Sequence, residues 1–196
     1  MTGTAASDGP ERRGTRTEPL PPPDSAQYGE TLRKVFGVVP NGVVAICALV
    51  AGEPQAIIAS TFIPVSMNPP LVGFCVQMTS QTWPRLAQAG RLGVSVLAES
   101  QGLVARRLSA RPEHRFAGLS PVISEDDAVF IEPASAWLEC SLRQSVPAGD
   151  HEFVMLGVHA TAVNPGSEPL IFHHSGFRSL HPASRDPLSL ESSTWF

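Results

Sequence analysis

The sequence is poor in charged residues and has no excess of positive charge. Asp, Glu, Lys and Arg make up only 16% of its 196 residues, and the formal net charge is −4. A protein that holds nucleic acid needs a basic surface that neutralises phosphates, and this composition does not supply one. We therefore expect no nucleic-acid partner.

Long apolar runs are also missing. No stretch approaches the roughly 18 apolar residues of a membrane-spanning helix, and residues 1–23 lack the apolar centre of a signal peptide. Both absences predict a cytoplasmic protein without a membrane partner. A G-x-G-x-x-G fingerprint is absent as well, so the sequence disfavours a doubly wound dinucleotide-binding fold.

Cysteine and histidine are arranged in no pattern that indicates a metal site. Cys47, Cys75 and Cys140 are odd in number, lie in apolar strand-like runs and lack ligand spacing, so we expect buried free thiols rather than disulfides. The six histidines include no pair at helical spacing with an accompanying carboxylate. No metal site is predicted.

Composition divides the chain into a tail, a body and a second tail. Residues 1–26 are rich in Pro, Gly, Ser and Thr and are predicted to be disordered. Residues 27–180 form the predicted domain. Residues 181–196 return to a polar composition, with Trp195 and Phe196 as candidates to dock on a partner subunit.

The pattern of apolar residues in the body favours strands over helices. Helical spacing predicts one helix over 26–36, and shorter helices are predicted over 83–89 and 101–108. Short apolar runs bounded by Gly and Pro predict strands at 42–50, 55–62, 71–78, 92–97, 136–146, 153–163 and 170–172. Many short strands with few helices predict a closed or sandwiched antiparallel sheet.

Two clusters of hydroxyl side chains flank the strand predicted at 71–78. Ser60, Thr61 and Ser66 precede this strand. The second cluster contains Thr79, Ser80 and Thr82, just before the helical stretch that begins at Trp83. Free N–H groups and the positive end of a helix dipole attract phosphate, so the second cluster is a candidate anion site. The alternative is a helix N-cap with ordinary turn hydroxyls.

Several motifs of this chain resemble, in order, those of the flavin reductase family. These are FMN-binding split-barrel proteins that supply reduced flavin to two-component monooxygenases. The resemblance covers about residues 30–180, and its main segments are ASTF at 59–62, VSMNPPL at 65–71, TSQTW at 79–83, RFAG at 115–118 and AGDH at 148–151.

The resemblance implies a fold, an activity and partners. The expected fold is a mainly β, Greek-key antiparallel split β-barrel with a few short helices. The expected assembly is a homodimer with flavin near the subunit interface. The expected activity is an NAD(P)H:flavin oxidoreductase that passes hydride from NADH or NADPH to FMN or FAD. Reduced flavin would then reach a partner monooxygenase.

The resemblance also implies a set of flavin-binding residues. The backbone amides of Ser60 and Thr61 are expected to reach the flavin ring edge, and Ser66 is expected to support the ring or ribityl chain. Ser80, Thr82 and Trp83 are expected at the phosphate end, although for Trp83 the residue type favours anchoring its helix in the core. The matching segments add two aromatic residues, Phe62 and Phe116.

His151 is the candidate catalytic residue. The resemblance places it at the barrel rim beside the nicotinamide, whereas the residues alone also allow a solvent-exposed turn histidine. The chain departs from the family pattern at Ile58, Ser60 and Thr61, where Thr, Asn and Ser are common. These departures leave two alternatives open: a split-barrel flavoprotein that retains FMN and acts on another substrate, and a non-catalytic flavin-binding protein.

Overall fold

The structure is a computed structural model that describes residues 17–180, which form three α-helices and twelve strands. The helices are α1 Ala26–Gly37, α2 Trp83–Leu86 and α3 Gly102–Leu108, with short 3-10 turns at Glu99–Gln101 and Pro112–His114. The strands are β1 Asn41–Gly42, β2 Val44–Val50, β3 Glu53–Ala59, β4 Ile63–Met67, β5 Pro70–Gln77, β6 Leu92–Leu97, β7 Val122–Ile123, β8 Val129–Phe130, β9 Ala134–Ala148, β10 His151–Val163, β11 Ile171–His173 and β12 Gly176–Arg178.

The chain divides into two units, Met1–Phe36 and Gly37–Phe196. In the first unit, α1 confirms the predicted helix, and none of its residues is buried. The predicted tail 181–196 and most of the tail 1–26 lie outside the described residues. No helix among residues 17–180 is both long enough and apolar enough to cross a membrane.

The second unit is built on a seven-stranded antiparallel sheet with the strand order β3-β2-β6-β9-β10-β5-β4. Its two edge strands, β3 and β4, are consecutive in the chain and are joined by only residues 60–62. So short a link brings the two edges together at one end, which closes the sheet into a split barrel. The predicted mainly β, antiparallel fold is confirmed.

Apolar side chains pack on both faces of β2 and form two cores. The first core contains Ile46, Phe74 and Leu156, together with Trp83 from α2. The second contains residues from the opposite face of β2, Leu108 from α3 and neighbouring apolar side chains. A side chain at Gly93 would collide with the carbonyl oxygen of Val129, so glycine there allows β8 to lie against β6.

The sequence prediction missed four short strands, β4, β7, β8 and β12, and made one helix too long. The helix predicted over 83–89 is a single turn, Trp83–Leu86. Strand β4 was not predicted, because Pro64, Pro69 and Pro70 interrupt its apolar pattern. Proline lacks the N–H that a central strand needs, but an edge strand such as β4 tolerates it.

The prediction of buried free thiols is confirmed for two of the three cysteines. Cys47 and Cys140 are fully buried, and burial raises the pKa of the Cys140 thiol to about 12. Cys75 is also a free thiol but is only half-buried, so for this residue the prediction of burial is wrong. It lies on the face of β5 opposite to the buried Phe74, because successive strand residues point to opposite faces.

Candidate active site

Two adjoining clefts open where β3 ends and β5 runs beside it. The first, about 400 Å³ in volume, is called here the polar cleft; it is lined by Ile57, Ile58, Ala59, Ser60, Thr61, Cys75, Val76, Gln77, Thr79, Ser80 and His151. The second, about 510 Å³, is the arginine cleft; it is lined by Ala56, Ile57, Ile58, Ser80, Gln81, Thr82, Leu108, Ser109, Pro112 and Arg115. Because Ile57, Ile58 and Ser80 line both, the two clefts form one elongated site.

Thr61, just after β3, links the end of β3 to strand β5. Its hydroxyl donates to the carbonyl oxygen of Cys75 at 3.1 Å and accepts from the amide of Cys75 at 2.8 Å. This hydroxyl therefore holds β5 in place. Ser60 and Thr61 both line the polar cleft, and their amides donate to no backbone carbonyl within residues 17–180.

The turn between β5 and α2 is held by its own hydroxyl groups. The amide of Trp83 donates to Ser80 Oγ at 3.1 Å, and the amide of Ser80 donates to the carbonyl oxygen of Gln77 at 2.9 Å. Trp83 is 5% exposed and packs edge-on against Phe74, with ring centroids 5.3 Å apart. A four-residue helix has only a weak dipole, so the anion site needs another source of positive charge.

Arg115 supplies that charge. Its Nε donates to the carbonyl oxygen of Ala110 at 2.9 Å, and its Nη1 donates at 2.9 Å both to the carbonyl oxygen of Ala56 and to Thr82 Oγ1. These bonds fix the guanidinium in the arginine cleft, and no protein partner for Nη2 occurs among the described residues. Burial lowers the pKa of Arg115, yet a guanidinium stays charged at neutral pH. The group is preorganised to bind an anion.

His151 lies at the opposite end of the elongated site. It is the first residue of β10 and pairs with Gln77 on β5. Its side chain is 34% exposed. Its Nδ1 lies 2.7 Å from Asp150 Oδ1. The hydrogen bond and charge of His151 lower the pKa of the Asp150 carboxyl from its ordinary value, so this group is ionised at neutral pH.

Comparison with known proteins identifies the fold family. Residues 36–181 match the flavin reductase like domain. The chain belongs to the flavin reductase family. It is therefore an oxidoreductase that reduces flavin.

Relatives and a solved structure support this membership. The chain is 34% identical over 154 residues to a flavin reductase of Pseudomonas putida. These residues make up 78% of this chain and 91% of the relative. It is 30% identical over 162 residues to the reductase subunit of a flavin-dependent monooxygenase of Mycobacterium tuberculosis, covering 80% and 85%. The NADH:FAD oxidoreductase of Streptomyces globisporus, solved in complex with NAD and FAD fragments, has a TM-score of 0.77 at 31% identity and covers 86% of this chain and 99% of that one.

The structure brings five of the nine predicted site residues to the two clefts. Ser60, Thr61, Ser80 and His151 line the polar cleft, and Thr82 lines the arginine cleft beside Ser80. The other four lie outside both clefts: Phe62 and Trp83 pack on the first core, Phe116 packs on the second, and Ser66 lies on β4 opposite Leu71. The burial of Trp83 agrees with the prediction that it anchors its helix in the core.

Arg115 is the functional candidate that the sequence reading missed. It lies in the RFAG segment that carries the family resemblance, but only the neighbouring Phe116 was predicted to bind flavin. The contacts that reveal it reach 33 residues back to Thr82 and 59 residues back to Ala56. A lone arginine in a polar loop gives no local signal of such contacts.

The residues of the two clefts fit a flavin nucleotide. Two amides without backbone partners suit the polar edge of the ring in the polar cleft, and a fixed cation suits a phosphate in the arginine cleft. Ile57 and Ile58 supply apolar surface between the two.

Replacing Thr61 with valine is expected to lower the free energy of unfolding by about 1 to 2 kcal/mol, because the N–H and C=O of Cys75 both lose their partner. Thr61→Ser keeps the hydroxyl and is the matched control, with an expected change below about 0.5 kcal/mol. Urea denaturation of the two variants measures the difference. A valine variant as stable as the native protein would show that the hydroxyl of Thr61 does not stabilise the contact with β5.

Proposed function

We propose that this protein transfers hydride from NAD(P)H to FMN, with FAD as the alternative flavin, and releases reduced flavin to a partner monooxygenase. The elongated site carries the proposal: it has ring-edge donors at one end, Arg115 at the other, and His151 at the rim. Flavin is a substrate in this proposal: it enters oxidised and leaves reduced. In the reaction, the C4–H bond of the nicotinamide breaks, the hydride bonds to flavin N5, and NAD(P)⁺ is formed.

The role of the chain is to bind and orient both partners of this transfer. We assign the amides of Ser60 and Thr61 to the flavin ring edge and Arg115, with Thr82, to the phosphate. His151 is assigned to the nicotinamide, where an imidazole holds the carboxamide and so aligns the ring with N5. Orientation of this kind accounts for much of the rate enhancement when the hydride carrier supplies the chemistry itself.

FMN is the preferred flavin in this proposal, because Arg115 is a single fixed cation at the phosphate end. FAD extends beyond the first phosphate with a second phosphate and an adenosine. On that side, the arginine cleft is bordered by the exposed loop residues Ser109 and Pro112, and neither carries a charge that would bind the second phosphate. The Streptomyces relative is an NADH:FAD oxidoreductase, which keeps FAD as the alternative. Neither NADH nor NADPH is favoured by a charged group in the polar cleft.

We further propose that the protein is a homodimer. One face of β4, β5, β9 and β10 presents apolar side chains outward: Ile63 is 48% exposed, Val65 40% and Val146 38%. Phe153 and Val65 both pack over Gly73 on this face. Because Cys75 and Gln77 alternate with inward residues of β5, the same face continues into the polar cleft. A second copy on this face would lie beside the flavin.

A partner monooxygenase and a cytoplasmic location are also parts of the proposal. The Mycobacterium relative is a monooxygenase reductase subunit, and this chain covers 85% of its length. The reaction chemistry agrees, since reduced flavin is the product and a flavin-dependent monooxygenase consumes it.

A steady-state assay with NADH and NADPH against FMN, FAD and riboflavin tests the proposed function. We expect nicotinamide oxidation to rise with added FMN and then saturate. Protein that is purified yellow and oxidises NADH at a rate independent of added flavin would favour the flavoprotein that retains FMN. Protein that binds FMN without oxidising either nicotinamide would be a non-catalytic carrier.

The variant Val65→Glu tests the proposed dimer. A carboxylate in the centre of the apolar face should convert the dimer to a monomer at micromolar concentration, because an unpaired charge is costly to bury. Leu103→Glu is the matched control, since Leu103 is 80% exposed on α3 and should leave the dimer intact. Sedimentation velocity gives the result, and a native protein that sediments as a monomer contradicts the proposal.

A further inference from the structure

The contact between Asp150 and His151 determines which ring nitrogen of the histidine carries a proton. Nδ1 lies 2.7 Å from Asp150 Oδ1. An ionised carboxylate only accepts hydrogen bonds, so Nδ1 is the donor in this contact. A neutral imidazole has one N–H, and Nε2 is then left as an acceptor.

The backbone of the Asp150 turn is held independently of its side chain. The carbonyl oxygen of Asp150 accepts from the amide of Met78 at 3.0 Å, and His151 pairs with both Ala148 and Gln77. The Asp150 side chain itself is 93% exposed. Substituting this side chain should therefore leave the turn in place and change only its contact with the imidazole.

The neighbouring carboxylate, Glu152, has a different partner. Its Oε2 accepts from Ser145 Oγ at 2.5 Å, and Glu152 lies on the face of β10 opposite to His151. Substituting Glu152 therefore removes a negative charge from the same hairpin but leaves the contacts of the imidazole intact. It provides a matched control.

We propose that Asp150 is a positioning residue that holds His151 in the Nδ1–H tautomer, so that Nε2 accepts a hydrogen bond from the carboxamide N–H of the nicotinamide. The tautomer rests on the contact between Asp150 and His151, whereas its use by the nicotinamide rests on the proposed function. The consequence is a preference for coenzymes whose ring substituent has an N–H donor.

The tautomer is tested by ¹⁵N NMR of histidine-labelled full-length protein without coenzyme. We expect a pyrrole-type signal for Nδ1 of His151 and a pyridine-type signal for Nε2, assigned by their loss in His151→Gln. Asp150→Ala should shift the signals toward the Nε2–H tautomer, while Asp150→Asn, which keeps an acceptor oxygen, and Glu152→Gln should retain the native pattern. Unchanged signals in Asp150→Ala would overturn the assignment.

The use of Nε2 is tested by comparing NADH with reduced 3-acetylpyridine adenine dinucleotide, in which a methyl group replaces the carboxamide NH₂. We expect Asp150→Ala to lower kcat/KM for NADH by about three- to tenfold, the loss of about one hydrogen bond. The acetylpyridine coenzyme should lose less, because the other tautomer donates to its carbonyl. Asp150→Asn should recover most of the NADH rate, and Glu152→Gln should match the native enzyme.

The two measurements fail in different ways. Equal losses for both coenzymes in Asp150→Ala would overturn the role of Nε2. If the native protein oxidised neither coenzyme, the proposed function and the nicotinamide contact would fail together, while the NMR result would still decide whether Asp150 sets the tautomer.

Discussion

Replacing Arg115 with alanine is expected to weaken FMN binding by about 10- to 150-fold, or about 1.5 to 3 kcal/mol, the contribution of hydrogen bonds to a charged group. Riboflavin lacks the phosphate, so its affinity should change little. The reason is the geometry of the arginine cleft, where three hydrogen bonds to the protein fix the guanidinium before the ligand arrives. Isothermal titration with both flavins measures the difference.

Two further variants separate charge from geometry. Arg115→Lys keeps a positive charge but loses the planar fork, so we expect an intermediate loss of FMN affinity. Arg111→Ala removes an exposed arginine from the same loop and should leave FMN binding unchanged. Because Arg115 also bonds to Ala56 and Thr82, the melting temperature of each variant should be measured too. Equal losses for FMN and riboflavin would show that Arg115 supports the fold and not the phosphate.

His151→Ala is expected to slow reduction of bound flavin by about ten- to a hundredfold, a barrier change of about 1.4 to 2.7 kcal/mol. The substitution removes the group that we assign to the nicotinamide carboxamide and leaves the arginine cleft untouched. Flavin affinity should therefore stay close to that of the native protein. Stopped-flow reduction by NADH and by NADPH measures the rate directly.

The matched control for His151 is His159→Ala. His159 lies on the same strand, β10, but is exposed and lines neither cleft. Its Nε2 lies 2.8 Å from Ser141 Oγ. We expect this variant to reduce flavin at the native rate. A reduction rate unaffected by His151→Ala would make His151 only a turn residue, and the nicotinamide would have to be placed elsewhere.

Local sequence was sufficient to locate much of the site. Ser60 and Ser80 stand at strand ends, and His151 follows a Gly-Asp turn, so alternation and turn residues place all three at the rim of a sheet. Family resemblance then indicated which rim residues belong together. The structure places all three in one cleft.

Contacts between distant residues were beyond the sequence. Nothing local to Thr61 shows that its hydroxyl bonds to Cys75, 14 residues away, and nothing local to Arg115 shows that it reaches Thr82. Both depend on how the edges of the sheet meet. The hydroxyls of Thr61 and Ser80 looked like ligand groups, but each already accepts a hydrogen bond from a backbone amide.

The aromatic residues illustrate a second limit. Trp83 and Phe116 occur in motifs that resemble flavin-binding segments, yet a large apolar side chain is stabilised by burial wherever the core has room. Trp83 fills the first core against Phe74, and Phe116 packs on the second. Proximity in sequence to a binding group does not decide which way such a side chain points.

Anaerobic single-turnover reduction of FMN by NADH, compared with NADH deuterated at C4, tests the central claim most directly. We predict that flavin reduction saturates with FMN, yields one NAD⁺ per flavin reduced, and slows with the deuterated coenzyme, as hydride transfer at this site requires. Flavin that remains oxidised, or that is reduced no faster than in protein-free solution, would contradict the assignment of this chain as a flavin reductase acting through the two adjoining clefts.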